Sequence, residues 1–277
     1  MKTAAYWESM EGGVRCLLCP HRCRIPDGET GLCMVRRSNG GTLLAEGYGQ
    51  LSALALDPIE KKPLRRFYPG SMILSVGSYG CNLRCPFCQN YRIAVEKPAC
   101  RYLSPAELAA LAAETRDNLG VAYTYNEPLT AYEYVLDCAK RVRAQGQKNV
   151  LVTNGTVCPE PLTELLPWID AMNIDLKCFS EEGYHRLGGR LAPVQDSIRL
   201  AAGRCHVEVT TLVVPGLSDD EAQMEQLSAW LSSVDADIPF HVTRYRPCYR
   251  YTAPAPDAAL VHRLAALARR HLRYVYI

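Results

Sequence analysis

The stretch GCNLRCPFCQNYR, residues 80–92, holds Cys81, Cys85 and Cys88 with three and two residues between them. Three thiolates so spaced can wrap one face of a cubane iron–sulfur cluster. Four irons need four ligands and this motif supplies three, so one iron is left for an exogenous ligand. Phe87, just before the third cysteine, is placed to shield such a cluster and to help set its potential through burial. A zinc ion drawing its fourth ligand from elsewhere is the competing reading of the same residues. Upstream, CLLCPHRCRIPDGETGLC carries Cys16, Cys19, Cys23 and Cys33 as C-x2-C-x3-C-x9-C. That set is closed. Four sulfurs satisfy a structural zinc or a second [4Fe-4S] cluster, and spacing does not choose between them. Gly28 and Gly31 suit the tight turns that return Cys33 to the others, and His21 is expected on the surface.

Composition narrows the setting. The chain has 277 residues, 48% hydrophobic and 22% charged, as an ordinary globular protein does. A net charge of +2 gives no field that argues for nucleic acid or an anionic membrane. No apolar run approaches the roughly 18 residues of a membrane span, and MKTAAYWESMEGGVRC lacks the apolar centre of a signal peptide. A cytoplasmic location is expected. In a reducing compartment, clustered cysteines point to metal rather than to disulfides. Of the thirteen cysteines, Cys100, Cys138, Cys158, Cys178, Cys205 and Cys248 are scattered and read as small hydrophobes.

The elements that must position these sulfurs follow from periodicity. Residues 1–70, rich in Cys, Gly, Pro and Arg, show little helical pattern and are expected to form a Cys-rich N-terminal metal-binding segment. Residues 71–277 repeat a β-branched run followed by a capped helix. Strands are expected at 72–77, 121–126, 149–154, 171–177, 206–214, 240–245 and 273–277. Helices between them start at S-x-x-E capping boxes: Ser104 with Glu107, Thr130 with Glu133, and Ser218 with Glu221. Gly120 and Gly146 stand where helices are expected to stop. Further helices are expected over 159–166, 194–203 and 257–271. Strand–helix alternation implies parallel strands with right-handed crossovers. Tyr123, Tyr125 and Glu127 fall on one face, as do Asn173, Asp175 and Lys177, and Glu208 and Thr210. Polar residues on one face of several strands imply an open, lined interior. About 205 residues is short for a closed eight-stranded barrel. The expectation is an α/β fold, a partial (βα)6 TIM-like barrel, with its site at the C-terminal strand ends.

CNLRCPFC, after a strand and ahead of a βα barrel, resembles the radical S-adenosylmethionine (radical SAM) signature. The resemblance implies that SAM binds the open iron through its amino and carboxylate groups. One electron then cleaves it to methionine and a 5′-deoxyadenosyl radical that abstracts hydrogen from a substrate. It also implies further SAM contacts. At the end of the second strand the family often carries a GGE-like stretch; here YTYNEP puts Asn126 and Glu127 there, and Glu127 is the candidate for the SAM ammonium. Asn154 of VTNG ends the next strand. DLK resembles the DxK of glycyl-radical activating enzymes, placing Asp175 and Lys177 near the SAM carboxylate. VVPGLSDD resembles the corresponding strand end of those enzymes, and HVTRYRP offers His241 or Arg244. A structural ion pair is the plainer reading of Asp175 and Lys177, and a structural role that of His241.

CLLCPHRCRIPDGETGLCMVR, YGQLSALALDPIEKKPLRRFYPGS, SVGSYGCNLRCPFCQN, YTYNEP, VTNG and DLK together resemble the radical SAM component of the AmmeMemoRadiSam system. That family is related to pyruvate formate-lyase activating enzymes. The resemblance implies companion proteins of that system and a reduced flavodoxin- or ferredoxin-like electron donor. Asp57, Glu60, Lys61 and Lys62 of DPIEKKPL are expected in a crevice between the two cysteine sites, or else in a solvated connector. Three functions compete: a radical SAM enzyme, a glycyl-radical activating enzyme, and an iron–sulfur electron carrier or zinc-binding interaction protein without SAM chemistry.

Overall fold

The structure, a computed structural model, describes residues 2–277. The β-branched runs of the C-terminal two-thirds assemble into one eight-stranded sheet. Its strands are β1 (Ala53–Pro58), β2 (Met72–Gly77), β3 (Asn118–Tyr123), β4 (Lys148–Thr153), β5 (Ala171–Asp175), β6 (His206–Val213), β7 (Phe240–Arg244) and β8 (Val275–Tyr276). They lie side by side in chain order, with β1 and β8 at the edges. Strands β2 to β8 are parallel, and β1 runs antiparallel to β2. Helices α1 (Pro105–Glu114), α2 (Tyr132–Ala144), α3 (Pro159–Leu165), α4 (Leu191–Ala202), α5 (Glu221–Val234) and α6 (Ala258–Ala268) form the crossovers. This is the expected partial TIM-like barrel of six βα units, with two edge strands added. No helix among the described residues is long and apolar enough to cross a membrane.

The N-terminal segment is strand-built. Trp7–Met10, Gly13–Cys16 and Arg24–Pro26 form one small antiparallel sheet, and Lys2–Thr3, Arg36–Asn39 and Thr42–Ala45 another. β1 lies upstream of residue 70 yet belongs to the barrel sheet, so segment and barrel share backbone hydrogen bonds. A buried ion pair adds a second tie: Arg36 Nη1 donates to Glu133 Oε1 of α2 at 3.0 Å, and both side chains are inaccessible to water. Ala5 N donates to the same carboxylate at 2.7 Å.

Several local expectations give way to these ties. Ser104 and Glu107 do form a capping box. Glu133 does not cap its own helix, because Arg36 claims its carboxylate; the hydroxyl of Thr130 donates to the Glu127 carbonyl instead. α5 is capped by Asp220, whose carboxylate accepts from Gln223 N, while the Ser218 hydroxyl bonds Leu212 O. Gly120 lies inside β3 rather than at a helix end. A Cβ there would fall 1.9 Å from the Lys148 carbonyl oxygen, so neighbouring backbone excludes any larger residue. Gly146, at φ +76°, does follow the end of α2.

The barrel interior is stoppered at one end by residues 59–67. Ile59, Leu64 and Phe67 pack against Ile73 and Ala171, near the starts of β2 and β5. The stopper is pinned by a buried carboxylate. Glu208 of β6 accepts from the backbone N–H groups of Arg65 and Arg66 at 2.9 and 2.8 Å, and His206 and His241 Nε2 lie 2.9 and 2.6 Å from its oxygens. Burial works against this charge, but the donors prevail and lower its pKa to about 2. A depressed carboxylate contributes stability that is complete above its unfolded value and lost as pH falls through the folded one. Acid unfolding should therefore gain a component between pH 4.5 and about 2. Glu208→Gln should cost about 2–4 kcal/mol by chemical denaturation at pH 7 and remove that component.

Candidate active site

Cys81, Cys85 and Cys88 sit on the loop directly after β2, at the C-terminal end of the barrel sheet. The loop turns at Gly80, where φ is +85° and a Cβ would lie 2.3 Å from the Cys33 carbonyl oxygen. Only glycine permits both that backbone conformation and that approach. Arg84 then holds the loop in shape, donating to the carbonyls of Cys81 and Leu83 at 2.7 and 2.8 Å and to that of Leu32. Two donors face Cys81 Sγ: Leu83 N at 3.4 Å and Asn154 Nδ2 at 3.6 Å. Burial pushes all three thiols up, Cys85 to about 11. Such thiols are not poised nucleophiles at neutral pH. A bound metal would have to displace their protons, which couples binding to pH.

The three sulfurs open on a cleft of about 600 Å³ at the barrel mouth, also lined by Phe87, Glu127, Asn154, Asp175 and Lys177. Sequence-expected site residues from three strand ends and the cysteine loop thus meet in one cavity. Phe87 is buried and stands edge-on to Tyr245 and Tyr251, with centroids 6.5 and 6.3 Å away. Glu127 is buried, and desolvation raises its pKa to about 7. Its oxygens are already engaged: Oε1 accepts from Leu129 N and the Thr153 hydroxyl at 3.0 and 2.7 Å, and Oε2 from Asn154 N at 2.7 Å. Oε2 keeps room for one more donor. Lys177 Nζ donates to Asp175 Oδ2 at 2.6 Å. Burial disfavours the ammonium, but Asp175 and then Cys85 outweigh it, and the lysine stays charged.

Other expectations shift. Tyr123 points to the helix layer, where its hydroxyl donates to Asn149 Oδ1 at 3.1 Å, and it does not line the cleft. His241 is spent on Glu208, and Arg244 Nε donates to Pro256 O at 2.7 Å; neither borders the cleft. His21 is half-buried and lines the four-cysteine cavity, its Nε2 2.7 Å from the Asn82 carbonyl oxygen. Lys61 and Lys62 line the three-cysteine cleft rather than a crevice between the cysteine sites. Glu60 is turned away and accepts from Gly70 N.

Sequence reasoning assigned no partner to Asp57, and the structure supplies three. Lys61 and Lys62 reach separate oxygens at 2.8 and 2.7 Å, and the Tyr125 hydroxyl donates at 2.5 Å. Burial opposes the charge, yet these donors hold the Asp57 carboxyl well below the usual range. Tyr125 reaches it through a backbone at φ +72°, just past β3. The two lysines are not equivalent, with side chains 65% and 1% exposed for Lys61 and Lys62. Lys62→Met should cost about 3 kcal/mol in denaturant titrations, because it strands a buried carboxylate. Lys61→Met should cost about 0.5 kcal/mol or less.

The residues fit a cluster bearing one open iron. The motif's three sulfurs share one loop, an N–H and an amide face Cys81, and the sulfurs border a polar cleft large enough for a small molecule.

Comparison with known proteins agrees. The Radical SAM superfamily model matches residues 75–227. An uncharacterized protein of Methanocaldococcus jannaschii is 37% identical over 286 residues, covering all of this chain and 85% of the relative. Another protein of that organism, provisionally named a glycyl-radical enzyme activating enzyme, is 23% identical over 228 residues, 76% of this chain and 90% of its own. The crystal structure of a radical SAM methyltransferase from Sphaerobacter thermophilus shares the fold, with a TM-score of 0.55 at 16% identity over 76% of this chain and 67% of that one. The family implies a [4Fe-4S] cluster and SAM, which leaves no place for a non-enzymatic electron carrier or interaction protein. The chain belongs to the radical SAM superfamily: it is an enzyme, related to the glycyl-radical activating enzymes.

Proposed function

We propose that the chain is the radical SAM component of an AmmeMemoRadiSam system, acting by hydrogen abstraction on a substrate held in the barrel-mouth cleft. The observation that carries this reading is the meeting of Cys81, Cys85 and Cys88 with Glu127, Asn154, Asp175 and Lys177 around one cleft. The quoted fragments from CLLCPHRC to DLK support the narrower family. A reduced [4Fe-4S] cluster bound there would supply one electron to SAM, parting it into methionine and a 5′-deoxyadenosyl radical.

This chain's residues do the rest. Cys81, Cys85 and Cys88 are the ligands. Leu83 N and Asn154 Nδ2, both directed at Cys81 Sγ, tune the site through hydrogen bonds to sulfur. Phe87, packed on Tyr245 and Tyr251, keeps water off one side. Lys177 presents a fixed positive charge for the SAM carboxylate, and the open valence of Glu127 Oε2 suits its ammonium. Four cysteines of the N-terminal segment hold a second metal centre. A reduced flavodoxin- or ferredoxin-like protein serves as donor, and companion proteins of the system are the expected partners. A second reading, activation of a glycyl-radical enzyme, draws on the name of the 23% identical relative and on the DLK strand end.

The test is anaerobic production of 5′-deoxyadenosine by the reduced, cluster-loaded chain. The wild type should form it, and Cys81→Ala/Cys85→Ala/Cys88→Ala should form none. No product from fully loaded wild type would refute the proposal. Lys177→Met should raise the KM for SAM about tenfold or more, as expected for one lost charge-assisted hydrogen bond. A glycine-radical EPR doublet on a large partner would select the second reading.

A further inference from the structure

Cys16, Cys19, Cys23 and Cys33 line one enclosed cavity whose wall also includes Arg36, Asn82 and Thr156. We infer that this cavity holds a second [4Fe-4S] cluster rather than a zinc ion. The inference rests on the radical SAM reading only in using Cys81, Cys85 and Cys88 as its standard.

Donor spacing is the first argument. Zinc binds four thiolates at about 2.3 Å each, which draws the sulfurs tightly together. All four cysteines face one cavity, yet no three metal-binding side chains among the described residues converge to single-ion spacing. The same holds of Cys81, Cys85 and Cys88. Sulfurs that surround a common space without closing on its centre suit a larger body than one ion.

Two unpaired donors make the second argument. Arg36 Nε and Thr156 Oγ1 are buried with no hydrogen-bond partner, and both residues line this cavity. Arg36 spends its other nitrogens on Glu133 and the Ala5 carbonyl, so Nε–H remains. A buried N–H and O–H each call for an acceptor. A zinc tetrathiolate offers only its thiolates. A cubane adds inorganic sulfides, which accept hydrogen bonds around the whole body of the cluster.

The wall is the third. Asn82 directly follows Cys81, so the residue that closes the four-cysteine cavity is bonded to a ligand of the other site. Its Nδ2 donates to Thr156 O at 2.7 Å, and its Oδ1 accepts from Asn154 Nδ2 at 2.9 Å. That same Asn154 amide faces Cys81. The two sites are therefore separated by one layer of side chains.

The experiment counts metals. Full-length chain purified anaerobically from iron-supplemented cells is assayed for iron, acid-labile sulfide and zinc. Cys81→Ala/Cys85→Ala/Cys88→Ala should keep about four irons and four sulfides with no zinc. The mirror variant, Cys16→Ala/Cys19→Ala/Cys23→Ala/Cys33→Ala, should lose about four irons relative to wild type. Zinc without iron in the first variant would overturn the inference, as would unchanged iron in the mirror variant should the first fail to fold. In the first variant, adding Thr156→Val should leave metal content intact and lower the midpoint potential of the remaining cluster. An unmoved potential would overturn the role of Thr156 as a donor to it. Because 5′-deoxyadenosine formation by the wild type is scored separately, failure of this inference and failure of the radical SAM proposal give different results.

Discussion

The Glu127 carboxylate is the point on which the site's geometry turns. It is buried at the end of β3 and grips Leu129 N, the Thr153 hydroxyl and Asn154 N. Those contacts lock the ends of two neighbouring strands in register and stand the Asn154 side chain upright. Asn154 in turn reaches Cys81 Sγ and Asn82. Burial lifts the Glu127 pKa to about 7, against three donors that pull it down. By linkage, the carboxylate costs the fold stability that grows as pH rises from 4.5 toward that value. Carboxyls perturbed in this way, beside three cysteines and a lysine, are concentrated at functional sites.

The large-scale pattern was legible because its causes are local. β-branched runs and capped helices announced the six βα units, and C-x3-C-x2-C announced the cleft. Expectations give way where a distant partner or a local change of backbone decides. Glu133 has the right spacing from Thr130 for a capping box, but Arg36, 97 residues away, takes its carboxylate into a buried pair. Alternation counted through to Glu127 places Tyr123 in the interior. The strand ends at Tyr123, and the left-handed backbone of Tyr125 resets the alternation, so Tyr125 turns inward while Tyr123 faces the helices. Periodicity cannot show such a switch, because Tyr is not a residue that usually adopts φ > 0. The charges of DPIEKKPL were visible, but their placement depended on where the stopper met the barrel.

That stopper connects the two ends of the sheet. Residues 59–67 are fixed from below by Glu208, and Lys61 and Lys62 within them reach Asp57 and border the three-cysteine cleft. Asp57 belongs to β1, Tyr125 to the loop after β3, and Lys62 to the stopper. Their shared hydrogen bonds make the floor of the cleft a single buried electrostatic unit rather than three independent surfaces. Lys62 Nζ also lies 4.6 Å from the Tyr125 ring centroid, which adds a cation–π contact to the pair.

The open sheet explains how such a floor and such a mouth can coexist. A closed barrel fills its interior with side chains. Here β1 and β8 remain unpaired with each other, so interior positions such as Thr210 and Thr243 face a cleft instead of a packed layer. The missing closure must be compensated, because interior polar groups still need partners. Asn173 shows how: its amide donates to Pro63 O of the stopper and to the Thr210 hydroxyl. The N-terminal segment thus does two things for the barrel. It supplies the stopper that satisfies the interior at one end, and it packs the Cys33 loop against Gly80 at the other. Removing that segment would leave the cysteine loop unsupported and the interior unpaired, so the barrel and its upstream segment form one structural unit despite their different composition.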